Sequence, residues 1–397
     1  MRSVELFTGA GGLAIGTSNA GFRHEAVIEW DKNACSTMRH NRDLGTHPVC
    51  EWPIYEMNVA DFDYSTIRGQ IDLLVGGPPC QPFSIGGKHR GQNDERNMFP
   101  EVFRAIRELK PRAILVENVK GLLRQSFSTY FKYIRLQLEY PEIARREGES
   151  LVDHLCRLER HQNGGSRQGL RYRVFARLLN AANYGVPQKR ERVFIVGFRS
   201  DIERGWSFPE PTHSLDALLW SQWKTGNYWE KHDISQQNRP KPSNGLMARI
   251  RHVKSSFIPP ALKPWKTIRD TISDLPDPAS GTCSAIANHR LNPGARTYIG
   301  HTGSPLDEPA KTLKAGDHGV PGGENMLVKD NGAVRYFTVR ESARLQTFPD
   351  NFIFQGSWTE SMRQLGNAVP VMLAGIVAGE IRKVLSGGIC ESRSAAL

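Results

Sequence analysis

Three stretches of this 397-residue chain combine reactive side-chain types with settings that hold them still. The first reads Gly76-Gly77-Pro78-Pro79-Cys80-Gln81-Pro82-Phe83-Ser84. Each proline fixes its own φ near −65° and pushes the residue before it out of the helical region. The sulfur of Cys80 therefore points where a stiff loop directs it, as a positioned nucleophile requires and a buried packing thiol does not. The second stretch is Glu117-Asn118-Val119, directly after the apolar run Ala113-Ile114-Leu115-Val116. A glutamate at a buried strand end is costly unless it is paired or used; the alternative is a helix N-cap carboxylate. The third, Gln188-Lys189-Arg190-Glu191-Arg192, runs into the apolar segment 193–198. Strand alternation puts Arg190 and Arg192 on one face; the alternative is a solvated charge run.

A fourth stretch suits binding. Phe7-Thr8-Gly9-Ala10-Gly11-Gly12 lies between an apolar strand signal at 4–7 and a helical signal at 13–20. Glycines in such a turn let a ligand approach the backbone and expose helix N-terminal N–H groups. Glu29 closes the next strand signal, where a carboxylate can take both hydroxyls of a ribose. The glycine spacing differs from a dinucleotide fingerprint, so the pair points to an adenosine cofactor, with a plain strand–turn–helix corner as the alternative.

The elements that must position these groups alternate. Strand signals at 4–7, 26–29, 71–75, 113–116 and 192–198 are separated by helical ones at 13–20, 32–40 and 101–109. That order predicts an α/β fold with a doubly wound, mostly parallel sheet. In such a sheet the C-terminal strand ends open onto one crevice, which places Glu117 with Cys80. Residues 140–168 break the rhythm and read as an exposed, charged helical excursion ending in a loop. From 206 to about 335, Pro, Trp, Lys and His are abundant and periodicity is weak, which predicts a second, smaller and irregular lobe. The helical signal at 372–384 then returns to the first lobe, giving domains of 1–205 plus 336–397 and 206–335.

Composition bounds the function class. Hydrophobic content of 39% and charged content of 23% fit a globular protein. No run reaches the roughly 18 apolar residues of a membrane helix, and no secretory signal opens the chain, so a cytoplasmic protein is expected. The six cysteines, at 35, 50, 80, 156, 283 and 390, form no CxxC pair and no histidine cluster accompanies them. The expectation is no metal site, no disulfide framework, and one reactive thiol. A net charge of +11, from 52 Lys+Arg against 41 Asp+Glu, favours a polyanionic partner such as nucleic acid.

Taken in order, the FTGAGG turn, GGPPCQPFS, ENV, QKRER and the segment GNAVP (Gly366 to Pro370) resemble the DNA (cytosine-5) methyltransferases of bacterial and phage restriction–modification systems. The resemblance covers residues 1 to about 200 and 335 to 397, and includes the RESARLQTFP segment at 340–349. It implies a Rossmann-like lobe that uses S-adenosylmethionine and a smaller target-recognition lobe. It also implies methyl transfer to C5 of a flipped-out cytosine in a specific double-stranded DNA sequence. Cys80 is then the nucleophile that adds to cytosine C6, Glu117 holds N3 and the exocyclic amine, and Arg192 with Arg190 orients base and glutamate. The family pattern maps Phe7, Gly9, Gly11, Gly12, Glu29, Trp30, Asp61, Phe62, Pro78 and Asn367 onto the cofactor, with Asp63 competing with Asp61 for the adenine amine. Gln81, Ser84, Thr312 and Leu313 map onto DNA contacts. The implied partners are DNA and a cognate restriction endonuclease, and the expected state is a monomer. The tRNA-methylating branch of the same family is the near alternative; a NAD-dependent oxidoreductase and an inactive DNA-binding relative are more distant ones.

Overall fold

The computed structural model describes residues 1–79, 98–165, 169–202, 205–242, 244–280, 285–316 and 325–387. It divides into two compact units. The first comprises 1–179, 191–209 and 374 onwards; the second comprises 180–190 and 210–373.

Along the chain the first elements are β1 Arg2–Leu6, α1 Gly12–Asn19, β2 Arg23–Glu29, α2 Lys32–Asp43, β3 Ile54–Glu56 and β4 Leu73–Gly76. They are followed by α3 Phe99–Leu109, β5 Ala113–Val119, α4 Ser128–Glu139, α5 Leu151–Asn163, β6 Tyr172–Asn180, β7 Gln188–Lys189 and β8 Glu191–Arg199. Seven of these strands form one sheet in the order β3-β2-β1-β4-β5-β8-β6. The pairs from β3 to β5 are parallel, and β8 runs antiparallel to β5. From β1 the chain moves outward to β2 and β3, then crosses back to β4 on the other side of β1. The fold is therefore the doubly wound α/β sheet expected, with its topological switch between β1 and β4. Val4, Leu6, Ala26, Ile28, Leu74, Ile114, Val116, Val193 and Ile195 form the buried apolar centre, and strands so continuously apolar are those covered on both faces.

Two expectations for this unit need correction. β5 does not stop at Val116: pairing with β8 carries it on to Val119, so Glu117 lies inside the strand. Nor is 140–168 merely an exposed excursion. Leu151, Leu155 and Leu158 recur at helical spacing on α5, and His154, Leu155 and Leu158 are buried against the first core. His154 bonds the Tyr133 hydroxyl at 3.2 Å and the Ile143 carbonyl at 2.8 Å.

The C-terminal helix Val371–Leu385 rejoins the first unit from residue 374. Its Gly375 packs so closely that a Cβ there would meet the Gly16 carbonyl at 3.3 Å, and Arg382 donates to the Ala20 carbonyl at 3.0 Å.

The second unit carries β9 His213–Ser214, α6 Leu215–Trp220, α7 Asn227–Lys231, α8 Asn244–Ser255, β10 Lys263–Pro264 and α9 Arg269–Ile272. It continues through β11 Ser304–Pro305, β12 Ala310–Lys311, β13 Met326–Val328, β14 Val334–Tyr336, α10 Val339–Leu345 and α11 Trp358–Asn367. Its boundary differs from the one expected, because residues 336–373 group here and not with the first unit. The reason is a shared core: Ile268, Ile272, Ala310, Leu313 and Leu327 pack with Phe337 and Leu345. Tryptophan-rich composition here serves packing, since Trp229 is fully buried with Leu218 and Tyr228, against which Trp223 and Trp265 pack. Among the described residues, no helix is long and apolar enough to cross a membrane.

Candidate active site

Strand register brings the sequence-predicted residues of the first unit to one line. Leu6 is level with Ile28 on β2 and with Gly76 on β4, and Gly76 is level with Val116 on β5. The next residues along the chain are Phe7, just past β1, Glu29, the last of β2, Gly77, just past β4, and Glu117 on β5. All are at the C-terminal edge, where open parallel sheets bind ligands.

Glu117 meets Arg192 across the β5–β8 pair. Val119 is opposite Arg192 and Glu117 opposite Phe194, so the two charged side chains are diagonal neighbours on one face. The Arg192 Nε lies 2.8 Å from Glu117 Oε1, and both side chains are nearly buried. The other carboxylate oxygen lies beside Gly77, where a Cβ would come within 3.5 Å of it. Asn118 donates from Nδ2 to the Pro78 carbonyl at 3.1 Å. The β5 strand end thus holds both the charged pair and the start of the proline loop. Cys80, Gln81 and Ser84 lie outside the described residues.

The glycine turn is built around Glu29. Its Oε2 accepts from Gly9 N at 2.7 Å, and its Oε1 accepts from Trp30 N at 2.9 Å and Asp31 N at 2.8 Å. Burial raises the Glu29 pKa, and those amide donors oppose the rise. Phe7 and Gly9 both adopt positive φ, at 56° and 58°, and a Cβ at Gly9 would meet no atom within 4 Å. Space therefore lies open above the turn. At Gly11, with φ 91°, a Cβ would instead strike the Trp52 ring at 2.9 Å, so only glycine fits. Trp30 is 71% exposed beside Glu29. Asp61 is exposed at the end of a single 3₁₀ turn, whereas Phe62 is buried edge-on to Tyr55 and Tyr64. Phe62 therefore packs into the first core. Asp63 caps the next turn through Ser65 N at 2.9 Å, a local job that leaves Asp61 the freer carboxylate.

The remaining sequence-predicted residues belong to the second unit. Arg190 falls in the break between β7 and β8, so the strand alternation that paired it with Arg192 does not run through it. Its guanidinium is fully buried and donates to the carbonyls of Leu313, Gly366 and Ala368 at 2.9, 2.7 and 2.8 Å. That geometry makes it a clamp and not a base-orienting group. Leu313 is likewise a core residue and offers no exposed side chain to DNA. Thr312 is half-buried and donates to the Lys189 carbonyl at 2.7 Å. Asn367 is exposed at the end of α11.

A family model, C-5 cytosine-specific DNA methylase, matches residues 1–140 and 166–383. The chain belongs to that family. It is 32% identical to the Type II methyltransferase M.PspPI of Psychrobacter sp. (strain TA137), over 96% of this chain and 79% of that protein. It is 30% identical to the Type II methyltransferase M.NgoMIV of Neisseria gonorrhoeae, over 96% of this chain and 97% of that one. A solved structure of Spodoptera frugiperda DNMT2 superposes with a TM-score of 0.55 at 17% identity, covering 97% of this chain and 99% of that one. A putative DNA modification methyltransferase encoded within an Escherichia coli prophage gives 0.53 at 20%, covering 97% and 99%.

In this DNA (cytosine-5) methyltransferase, sequence reasoning missed several positions that hold the site together. Asn118 was legible only as part of the ENV motif, and its bond to Pro78 needs the strand pairing to be seen. Trp52 closes the glycine turn and donates from Nε1 to Ser18 Oγ at 3.2 Å. Gln188 accepts from Leu313 N at 3.0 Å and donates to the Leu345 carbonyl at 3.3 Å. The reading for histidine clusters also passed over one: His47, Cys50 and Glu51 hold their ligand atoms within 4.8 Å of one another at the surface.

Proposed function

We propose that the methyltransferase moves a methyl group from S-adenosylmethionine to C5 of a cytosine flipped out of a specific DNA duplex, with Cys80 as covalent nucleophile. The observation that carries this reading is the Glu117–Arg192 pair, set beside Gly77 and tied through Asn118 to Pro78, two residues before Cys80.

The turn fits the cofactor. Open space over Gly9, a buried carboxylate at the end of β2, an exposed indole next to it and an exposed Asp61 match the methionine, ribose and adenine parts of one molecule. When bound, S-adenosylmethionine supplies an electrophilic methyl sulfonium. The chain's own residues do the rest. Glu29 faces the ribose and Asp61 the adenine amine. Cytosine C5 is a poor nucleophile until a thiolate adds to C6, which makes the ring an enamine. Cys80 forms that C6–S bond while Glu117 stabilises protonation at N3, and Arg192 keeps the carboxylate in place with a fixed, permanently charged fork. After transfer the C5 proton leaves as a base takes it, the C6–S bond breaks, and the thiolate returns. A stacked cytosine cannot reach groups at a sheet edge, so the base is extruded, and the lost stacking and pairing cost a few kcal/mol.

Relatives named Type II methyltransferases, aligned over 96% of the chain, favour DNA over tRNA as substrate and a role in protecting DNA from a cognate endonuclease. The test is transfer of labelled methyl from S-adenosylmethionine to duplex DNA, with trapping on 5-fluorocytosine DNA. Wild type is expected to label and trap, and Cys80→Ser to do neither. Labelling of tRNA but not DNA, or trapping through another cysteine, overturns the reading.

A further inference from the structure

The second unit carries most of the chain's excess charge in one place. Between Ile234 and Arg269 there are eight Lys or Arg residues (239, 241, 249, 251, 254, 263, 266 and 269) and no Asp or Glu, against a net +11 for the whole protein. Arg249 and Arg269 are tied to Asp216 and Asp307. Arg251, Lys254, Lys263 and Lys266 are exposed. In the middle of this basic stretch the turn after α8 presents Phe257, 96% exposed, and Ile258, 80% exposed.

These apolar side chains are held out on a built turn. Lys224 donates from Nζ to the Lys254 carbonyl at 3.1 Å and also to the Ser256 carbonyl. The same ammonium lies 4.5 Å from the Trp220 ring centre and 5.6 Å from that of Phe257. Ser256 Oγ donates to the Ile258 carbonyl at 3.1 Å and accepts from Ile258 N at 3.3 Å. A turn fixed this way pays its ordering cost in the free protein, and large exposed apolar groups ringed by polar ones mark a contact surface.

We infer that Phe257 and Ile258 form an apolar wedge that enters duplex DNA and unstacks a base step away from the target cytosine, while Arg251, Lys254, Lys263 and Lys266 engage the flanking phosphates. The inference rests on the DNA reading above and adds a deformation site to it. The stretch 234–269 contributes no acidic residue, and its exposed cations Arg251, Lys254, Lys263 and Lys266 attract a polyanion and oppose a second copy. Apolar side chains inserted between base pairs are a known means of kinking a duplex, and the extra contacts that the bend permits offset the unstacking.

The test uses the full-length enzyme without cofactor and the duplex it binds most tightly among a randomised pool, with 2-aminopurine placed in turn at each position. Wild type is expected to raise fluorescence at one base step besides any step where a cytosine is extruded. The double variant Phe257→Ala/Ile258→Ala should lose that signal and bind the duplex at least tenfold more weakly, with unchanged S-adenosylmethionine affinity and an unchanged salt slope. Arg251→Gln/Lys254→Gln should reduce the slope of log K against log salt by about two, since each lost phosphate contact removes about 0.9. DNA affinity within twofold of wild type together with an unchanged fluorescence profile overturns the wedge. So does loss, in the apolar variant, of binding to phosphatidylserine vesicles or of self-association, with DNA binding intact. A wild type that binds and unstacks the duplex yet never methylates it would sink the catalytic reading and leave the wedge standing.

Discussion

Arg192 and Glu117 are one buried unit, with side chains 12% and 9% exposed. Removing one partner of such a pair leaves the other charge unpaired in a poor solvent, at a cost of about 3–5 kcal/mol. Arg192→Ala is therefore expected to lower the melting temperature and to abolish methyl transfer, and Arg192→Lys to recover stability better than activity, because an ammonium cannot copy the fork. An Arg192→Ala variant with wild-type turnover would remove the pair from the mechanism. A second buried pair answers to pH. Glu5 and His24 are 3.8 Å apart and fully buried, with Ser3 and Thr17 hydroxyls 3.0 and 3.2 Å from the imidazole. Burial pushes the Glu5 carboxyl well above its usual range and His24 down to about 4, so folding favours the uncharged form of each. An unfolded imidazole takes a proton below about 6.5, which the native one refuses until about 4, so His24 costs stability as pH falls through that window. Glu5 acts oppositely: the unfolded carboxyl ionises above about 4.3, so its cost grows as pH rises. Replacing His24 with Gln leaves only the second slope. Urea midpoints of His24→Gln should rise, relative to wild type, as pH is lowered from 6.5 to 4.5, and parallel curves would exclude His24 as the titrating group.

At the scale of elements, the break between β7 and β8 separates two arginines that the sequence places side by side. Arg192 belongs to a strand and reaches Glu117, while Arg190 lies at the break and gathers three carbonyls from segments more than a hundred residues away. Counting alternation through QKRER assumes one unbroken strand, and β7 instead pairs with β12. This marks what was readable in the chain. Glu117, Glu29 and the glycine turn could be placed at one sheet edge because each sits at the end of a short apolar run, a local signal; Cys80 lies outside the described residues. The exposed roles expected of Leu313 and Arg190 were not legible, because burial of those side chains depends on partners distant in sequence. The clamp predicts a separation of effects. Arg190→Met should strip donors from three buried carbonyls, at roughly 1–3 kcal/mol for each group left unsatisfied, and lower the melting temperature. The fraction that remains folded should bind S-adenosylmethionine normally. If Arg190→Met melts like wild type but transfers no methyl, the arginine orients the base after all. Gly366→Ala attacks the same junction from the other side. Its Cβ would lie 2.2 Å from Ala315 N and 2.4 Å from the Lys314 carbonyl carbon, backbone atoms that cannot step aside, so the loss should exceed the roughly 1–3 kcal/mol of ordinary overpacking.

For the whole molecule, the question is where sequence choice can be cut away from chemistry. Composition draws the line at 206–335, yet the second unit is a different piece of chain, 180–190 with 210–373. Its core explains why. Phe337 and Leu345, beyond the composition boundary, pack with Ile268, Ile272, Ala310, Leu313 and Leu327 inside it. The clamp of Arg190 likewise joins 190 to 313, 366 and 368 within that unit. An exchange of 206–335 with a relative of known target therefore divides one hydrophobic cluster between two parents, whose side-chain volumes were never matched, and close-packed interiors tolerate such mismatches poorly. An exchange of 210–373 together with 180–190 keeps cluster and clamp from a single parent. We expect the first chimera to melt several degrees below the second, and the second to methylate the donor's sequence. Sites would be read by bisulfite sequencing of DNA from the expressing host. An active second chimera that still marks the recipient's original sequence would place target choice in the first unit, whatever the thermal data show.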